Sequence, residues 1–289
     1  MRQKASSIDS MKSLLVSGSK GFIGRHLIAR LGSEYSLQTI NRQDSQDITN
    51  PSTFRRLKPA DAVIHLAGFT STVDSFKKKE ECFAINVQGT KHVLDYCKKH
   101  RASLIFASTY LYGEPKYLPV DEKHPISLDS PYKESKYRAE NLCREYHDKY
   151  GIDVTILRQF NIFGPGQGKD FLIPTIISQI KSGQIVLKDP KPKRDLLYVS
   201  DLIDAYWKLL KKGFRGHEVY NIGSSKSYSV EQIAECIVKL SRKDVRISYL
   251  HERRKNEIMN VQADISKIKR VLGWKPKVSL AEGLRKMLG

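Results

Sequence analysis

The stretch Ser13–Gly24, SLLVSGSKGFIG, constrains this chain more than any other. A short apolar run, Leu14-Leu15-Val16, leads into a glycine-rich turn and then into a helical pattern. The glycines are Gly18, Gly21 and Gly24, spaced G-x-x-G-x-x-G. A dinucleotide's pyrophosphate needs backbone N–H groups at close range with no Cβ in the way, and it gains from the positive end of a helix dipole. Gly18 is expected to make the tight turn and Gly21 to admit the phosphates. Gly24 is expected to let the helix pack on the strand. Gly18, Gly21, Phe22, Ile23 and Gly24 together form the predicted cradle. The helix shows Ile23, Leu27, Ile28 and Leu31 at helical spacing and stops at Gly32.

The chain has 289 residues, enough for one large domain or two intimate ones. Hydrophobic residues make up 40%, which excludes a disordered chain. No apolar run approaches the ~18 residues of a membrane span. The start lacks the apolar core of a secretory signal, and residues 1–10 are expected to form a flexible polar extension. Cys82, Cys97, Cys143 and Cys236 form no C-x-x-C pair, so a reduced, cytoplasmic protein is expected. No His, Cys or carboxylate spacing suggests a metal site. Lysine and arginine exceed the acids by 19, which implies anionic partners such as a phosphate-rich ligand. Nucleic acid is not expected, because no recognition motif accompanies the charge.

Leu37–Ile40 is predicted as a second strand. An acidic residue at its end would hydrogen-bond the ribose of NAD, whereas an arginine accepts the 2′-phosphate of NADP. The residues there are Asn41 and Arg42, so NADP is expected in preference to NAD. Asp47 and Ile48 are placed at the adenine edge. Ala62–Gly68 is apolar throughout, as a strand covered on both faces should be, and its His65 is expected to be packed rather than catalytic. Residues 79–100 are predicted as a helix facing inward through Phe83, Val87, Leu94 and Cys97. Ser103–Thr109 and Val154–Phe160 are the fourth and fifth strands. Five β units alternating with helices predict an α/β fold, a Rossmann-type doubly wound parallel sheet. The dinucleotide-binding domain is expected over 11–160, with the strand and helix at 194–212 returning to its sheet. A smaller substrate-binding portion is expected over 161–193 and 213–289.

Tyr132 and Lys136 are four apart on a predicted helix and so share a face. A tyrosine of pKa ~10 is a poor base at neutral pH. A neighbouring ammonium favours the phenolate and brings that value down. The tyrosine can then move a proton on or off an alcohol oxygen while a hydride moves at the carbon. Ser108, at the carboxyl end of the fourth strand, stands where ligands gather in open α/β sheets.

With these residues in order, the chain resembles the extended short-chain dehydrogenase/reductases, the NAD-dependent epimerases and dehydratases of nucleotide sugars. The matching residues are the three glycines; HLAG at 65–68; Asn86 and Thr90; Ser108 with Tyr112-Gly113; YKESK at 132–136; Arg158 with Phe160-Asn161; GPGQ at 164–167; Arg194-Asp195; Asn221-Ile222-Gly223; and Leu272-Gly273-Trp274. The resemblance implies Tyr132 as acid/base, with Lys136 tuning it and binding the nicotinamide ribose. Ser108 would orient the substrate oxygen. Leu66, Ala67, Gly68 and Asn86 would line the cofactor. Thr109, Asn161, Arg194 and Arg254 would bind substrate, the last three at its diphosphate. It also implies a homodimer through the helices at 79–100 and 132–150.

The family's 4,6-dehydratases carry an Asp-Glu pair after the serine position. Thr109 and Tyr110 stand there, which argues against elimination of water. The short segment between Ile40 and Ala62, together with Arg42, favours a C4 reductase of a 4-keto-6-deoxy nucleotide sugar over an NAD-dependent 4-epimerase. A third class, a non-enzymatic nucleotide- or RNA-binding member, is opposed by the intact Ser-Tyr-Lys set.

Overall fold

A computed structural model describes residues 12–253 and 257–289. The polar extension expected at 1–10 and Arg254 lie outside them. In chain order the elements begin β1 (Ser13–Ser17), α1 (Phe22–Leu31), β2 (Ser36–Ile40), β3 (Ala62–His65) and α2 (Thr72–Lys77). A helical run follows, made of α3 (Lys79–Phe83), a π-helical turn at Ala84–Gln88, and α4 (Gly89–His100). Then come β4 (Ser103–Thr109), α5 (Pro131–Tyr150), β5 (Val154–Gln159), β6 (Asn161–Phe163), α6 (Leu172–Gln179), β7 (Gln184–Leu187) and β8 (Lys193–Tyr198). The chain closes with α7 (Val199–Lys212), β9 (His217–Ile222), β10 (Ser227–Ser229), α8 (Val230–Ser241), β11 (Arg246–Tyr249), α9 (Ser266–Leu272) and α10 (Leu280–Leu288).

The main sheet is six-stranded and parallel, in the order β2-β1-β3-β4-β5-β9. Leu14 pairs in register with Leu37 on one side and with Ala62 on the other. Leu14, Leu15, Val16, Ala62, Val63 and Ile64 have no exposed surface, because helices cover both faces. Val93, Leu94 and Cys97 of α4 and Ala139 and Cys143 of α5 share one core with Leu104 and Phe106 of β4. The chain leaves β1 towards β2 on one side and returns as β3 on the other. The carboxyl ends of β1 and β3 are therefore the switch point where such sheets bind ligands.

This sheet belongs to a compact unit made of 12–109, Ser130–Arg158 and Ile203–Tyr220. A second unit comprises Tyr110–Asp129, Gln159–Leu202 and the described residues from Asn221 onward. The second contains a three-stranded sheet, β10-β8-β6, and a parallel pair, β11-β7. Its core includes Tyr112, Val120, Phe160, Val261 and Ala263. Trp274 is fully buried and donates to the Asp201 carbonyl at 2.9 Å.

Two expectations are corrected, the pairing of the strand at 193–198 and the regularity of the 79–100 helix. The strand at 193–198 does not return to the main sheet; it pairs with β6 and β10, and β9 takes the edge beside β5. The first unit leaves out Tyr110–Asp129 and takes in Ile203–Tyr220, which includes most of the helix in the expected 194–212 return. The 79–100 helix is not regular. Its π turn inserts an extra residue and rotates the inward face, so Asn86 is buried while Val87 is only half-buried.

Candidate active site

The glycine loop follows from backbone geometry. Gly18 has φ +73°, and a Cβ there would lie 2.7 Å from the Ala67 nitrogen. Only glycine fits a turn that is both left-handed and pressed against the loop after β3. A Cβ on Gly24 would lie 2.2 Å from the Gly18 carbonyl oxygen. Gly24 therefore serves the loop's own closure over the first helical turn, rather than packing of the helix on the strand. Gly21 is the N-cap of α1, where no side chain caps and no acid lies in the first turn. The free N–H groups of that turn suit an anion. Phe22 and Ile23 are half-buried at its start.

Leu66 and Ala67 are bound to β1: the Leu66 N–H donates to the Ser17 carbonyl and the Ala67 N–H to Ser17 Oγ, both at 3.2 Å. His65 is buried between Ser17 Oγ at 2.6 Å and Thr90 Oγ1 at 3.1 Å. Burial pushes its pKa down to about 3, so it is neutral. Asn86, predicted to line the cofactor, is buried and bonded within the protein. Its amide oxygen accepts from the Phe69 N–H at 2.8 Å and its nitrogen donates to Ser135 Oγ at 2.9 Å. It couples the loop after β3 to α5. Gly68 lies against it, with space for a Cβ only 3.0 Å from its oxygen.

At the end of β2, Asn41 is nearly buried and its Nδ2 has no hydrogen-bond partner among the described residues. Arg42 is exposed and lies 3.5 Å from Asp47 and 3.8 Å from Glu81. Lys20 of the glycine loop pairs with Asp44. Asp47 also accepts from the Thr49 N–H at 2.8 Å. Although burial acts to raise the Asp47 pKa, the bonds from Thr49 and the charge of Arg42 lower it overall. Ile48, placed by the sequence at the adenine edge, turns its side chain inward. Its side chain is 4% exposed and lies in the core, filling the space left by Gly89, whose Cβ would meet it at 2.6 Å.

Helix α5 holds the two residues predicted to act together, Tyr132 and Lys136. Ser130 caps it, accepting from the Lys133 N–H at 3.3 Å, and Pro131 opens it. Tyr132 is half-buried in the first turn, its N–H donating to Ser75 Oγ at 3.2 Å. One turn on, Lys136 is buried. Its Nζ donates to the Ala107 carbonyl at 2.6 Å and sits 4.1 Å from the centre of the Phe106 ring. Burial pushes its pKa down to about 8, while Glu140, Cys143 and Cys82 act in the opposite direction. Ser108 is the next residue of β4. Its hydroxyl donates to Glu140 Oε1 at 2.5 Å. Sequence reasoning missed Glu140; the available signal was an acid one turn beyond Lys136 on the same face.

The predicted substrate residues fall in both units. Thr109 ends β4 and is half-buried. In the second unit, Asn161 Nδ2 donates to the Asp195 carbonyl at 3.0 Å. Arg194 donates to the Ile258 carbonyl at 2.8 Å and pairs with Glu257. Asp195 does not pair with Arg194. Its carboxylate accepts from the Ser224 and Ser225 N–H groups at 2.6 and 3.0 Å, and from the Ala263 N–H at 2.9 Å. Burial raises its pKa to about 6 against these bonds. Among the described residues no group of three or more His, Cys, Asp or Glu could hold a metal ion. No helix among them is long and apolar enough to cross a membrane.

A glycine loop at the switch point of a six-stranded parallel sheet defines a Rossmann-type dinucleotide-binding protein. The model of the NAD dependent epimerase/dehydratase family matches residues 14–223, and the chain belongs to that family. It is an NAD(P)-dependent enzyme of nucleotide sugars. It is 31% identical over 291 residues to GDP-6-deoxy-D-mannose reductase of Pseudomonas aeruginosa, covering 95% of each chain. The structure of RMD from Pseudomonas aeruginosa complexed with NADPH superposes with a TM-score of 0.88 at 29% identity, over 96% of this chain and 97% of that one. UDP-glucose 4-epimerase of Thermotoga maritima with UDP-glucose superposes with a TM-score of 0.90 at 29% identity and the same coverage.

Proposed function

We propose that this protein reduces a nucleotide-diphosphate 4-keto-6-deoxyhexose at C4 with NADPH. The observation that carries the catalytic part is the Lys136 amine bound to the Ala107 carbonyl, beside Ser108 and one turn after Tyr132. The cradle of Gly18, Gly21 and the uncapped start of α1 suits the cofactor's pyrophosphate. The Asn41 Nδ2, without a partner among the described residues, and Arg42 and Lys20 of the same unit suit a phosphorylated ribose. Bound there, the nicotinamide supplies the hydride that C4 receives. Tyr132 gives its phenolic proton to O4 in the same step. The Lys136 ammonium stabilises the phenolate that remains. Arginine's planar fork fits phosphate oxygens, which suits Arg194 to the substrate diphosphate once Glu257 is displaced. Thr109 and Tyr110 supply no carboxylate for removing water, which separates this site from a dehydratase.

A 4-epimerase is the second reading. Asp44 and Asp47, close to the end of β2, are the acids that a ribose without a 2′-phosphate would meet. The experiment is to denature the purified protein, identify any released nucleotide by chromatography, and assay NADPH oxidation with GDP-4-keto-6-deoxymannose. Reduction with NADPH preferred over NADH is the expected result, and Tyr132→Phe should lower kcat about 10²- to 10⁴-fold with NADPH still bound. Stoichiometric released NAD, with interconversion of UDP-hexoses, replaces the reductase by the epimerase. Unchanged turnover in Tyr132→Phe overturns the mechanism in either form.

A further inference from the structure

We propose that Glu140 is a positioning residue of the reaction: backed by Arg158, its carboxylate seats the Ser108 hydroxyl at the end of β4 where the substrate's C4 oxygen is held. This rests on the reductase reading above. Ser108 and Glu140 are each 5% exposed, and the O–H···O contact between them is 2.5 Å. Arg158, 7% exposed, grips the same carboxylate, with Nη2 at 2.7 Å from Oε2 and Nε at 3.1 and 3.2 Å from the two oxygens.

A serine at a strand end has three staggered positions for its oxygen. A charge-assisted bond to a carboxylate selects one of them. The carboxylate is itself barred from turning, because the guanidinium engages both of its oxygens. Helix α5 thus holds the end of β4 at two successive residues: Lys136 holds the Ala107 carbonyl and Glu140 holds the Ser108 hydroxyl. Tyr132, Lys136 and Glu140 lie four residues apart in turn on one face, so the acid, its cation and the serine's anchor are one rigid row. Stability alone accounts poorly for the arrangement, since a buried ion pair often does no better than apolar residues of the same volume.

The test is a kinetic cycle of Ser108→Ala, Glu140→Gln and the double variant, using NADPH oxidation with GDP-4-keto-6-deoxymannose, thermal melts, and NADPH binding by fluorescence. Glu140→Gln is expected to lower kcat about 10- to 100-fold, with KM and NADPH affinity within about twofold. The double variant should fall no further than the worse single one, because both act through one hydroxyl. The paired replacement Glu140→Leu/Arg158→Met guards against misfolding. It should recover the melting temperature while kcat stays low. Recovery of kcat together with stability, a kcat for Glu140→Gln within twofold of the parent, or losses that multiply in the double variant would overturn the role. An inactive parent protein, or a fully active Tyr132→Phe, overturns the reductase reading instead.

Discussion

Two buried carboxylates, one in each unit, meet burial in opposite ways. Glu140 has a full cation against it, the Arg158 guanidinium, with the Ser108 hydroxyl as a third donor. Among the described residues, Asp195 is bonded by dipoles rather than by a cation. It is satisfied by three backbone N–H groups and the Ser224 hydroxyl at 2.7 Å. Burial outweighs these dipoles, and the Asp195 pKa rises to about 6. The same residue class therefore serves two ends. At Glu140 a charge pair fixes a carboxylate that accepts from the Ser108 hydroxyl. At Asp195 a carboxylate staples the turn after β9 to the segment around Ala263, and space is so short there that a Cβ on Gly223 would lie 2.6 Å from the Ala263 side chain.

The comparison is broken most severely by Arg158→Met. It leaves Glu140 without its cation, and urea denaturation should show a loss of about 3–5 kcal/mol. A loss below about 1 kcal/mol would mean that the guanidinium is not what compensates the buried carboxylate.

Asp195→Asn sharpens the other side. A carboxyl whose folded pKa is raised binds its proton more tightly when folded, so stability falls as pH rises between about 4 and 6 and is flat above. At 1.36 kcal/mol per unit, the rise from 3.8 to about 6 corresponds to about 3 kcal/mol. Asn at 195 should remove that slope from denaturation midpoints measured across this window. A slope that persists would assign it to another group.

The smallest effect belongs to an exposed acid. Glu34 pairs with Arg30 and with Lys211 at 2.9 Å, and it accepts from the Trp207 indole at 3.1 Å. The Arg30 bond, then those from Lys211 and Trp207, lower its pKa to about 2. Its contribution is present above its ordinary range and is lost as pH falls from about 4.5 towards 2. Glu34→Gln should shift the melting temperature least of the three, and salt should shrink that shift further.

Much of the fold was legible because its signals are local. A left-handed turn at Gly18 demands glycine whatever surrounds it, and Tyr132 and Lys136 share a face because a helix repeats every 3.6 residues. Apolar runs such as 14–16 and 62–64 announce strands covered on both faces. The partnership of Ser108 with Glu140, 32 residues apart, was not legible. Neither was the inward turn of Asn86, since nothing in NVQGT signals a π turn. The burial of the Ile48 side chain was not legible either, because Gly89, far along the chain, makes room for it.

The amino-acid sequence by itself determined the glycine loop, the alternation of strands and helices, the Tyr132–Lys136 row and the family. Each depends on backbone conformation or on spacing within one element. Only the tertiary structure decided that β9 rather than the strand at 193–198 borders β5, that Arg194 faces Glu257 while Asp195 faces backbone, and that Ser108 is held by Glu140. Strand pairing and side-chain partnership are contests among many distant groups, and packing settles which of them meet.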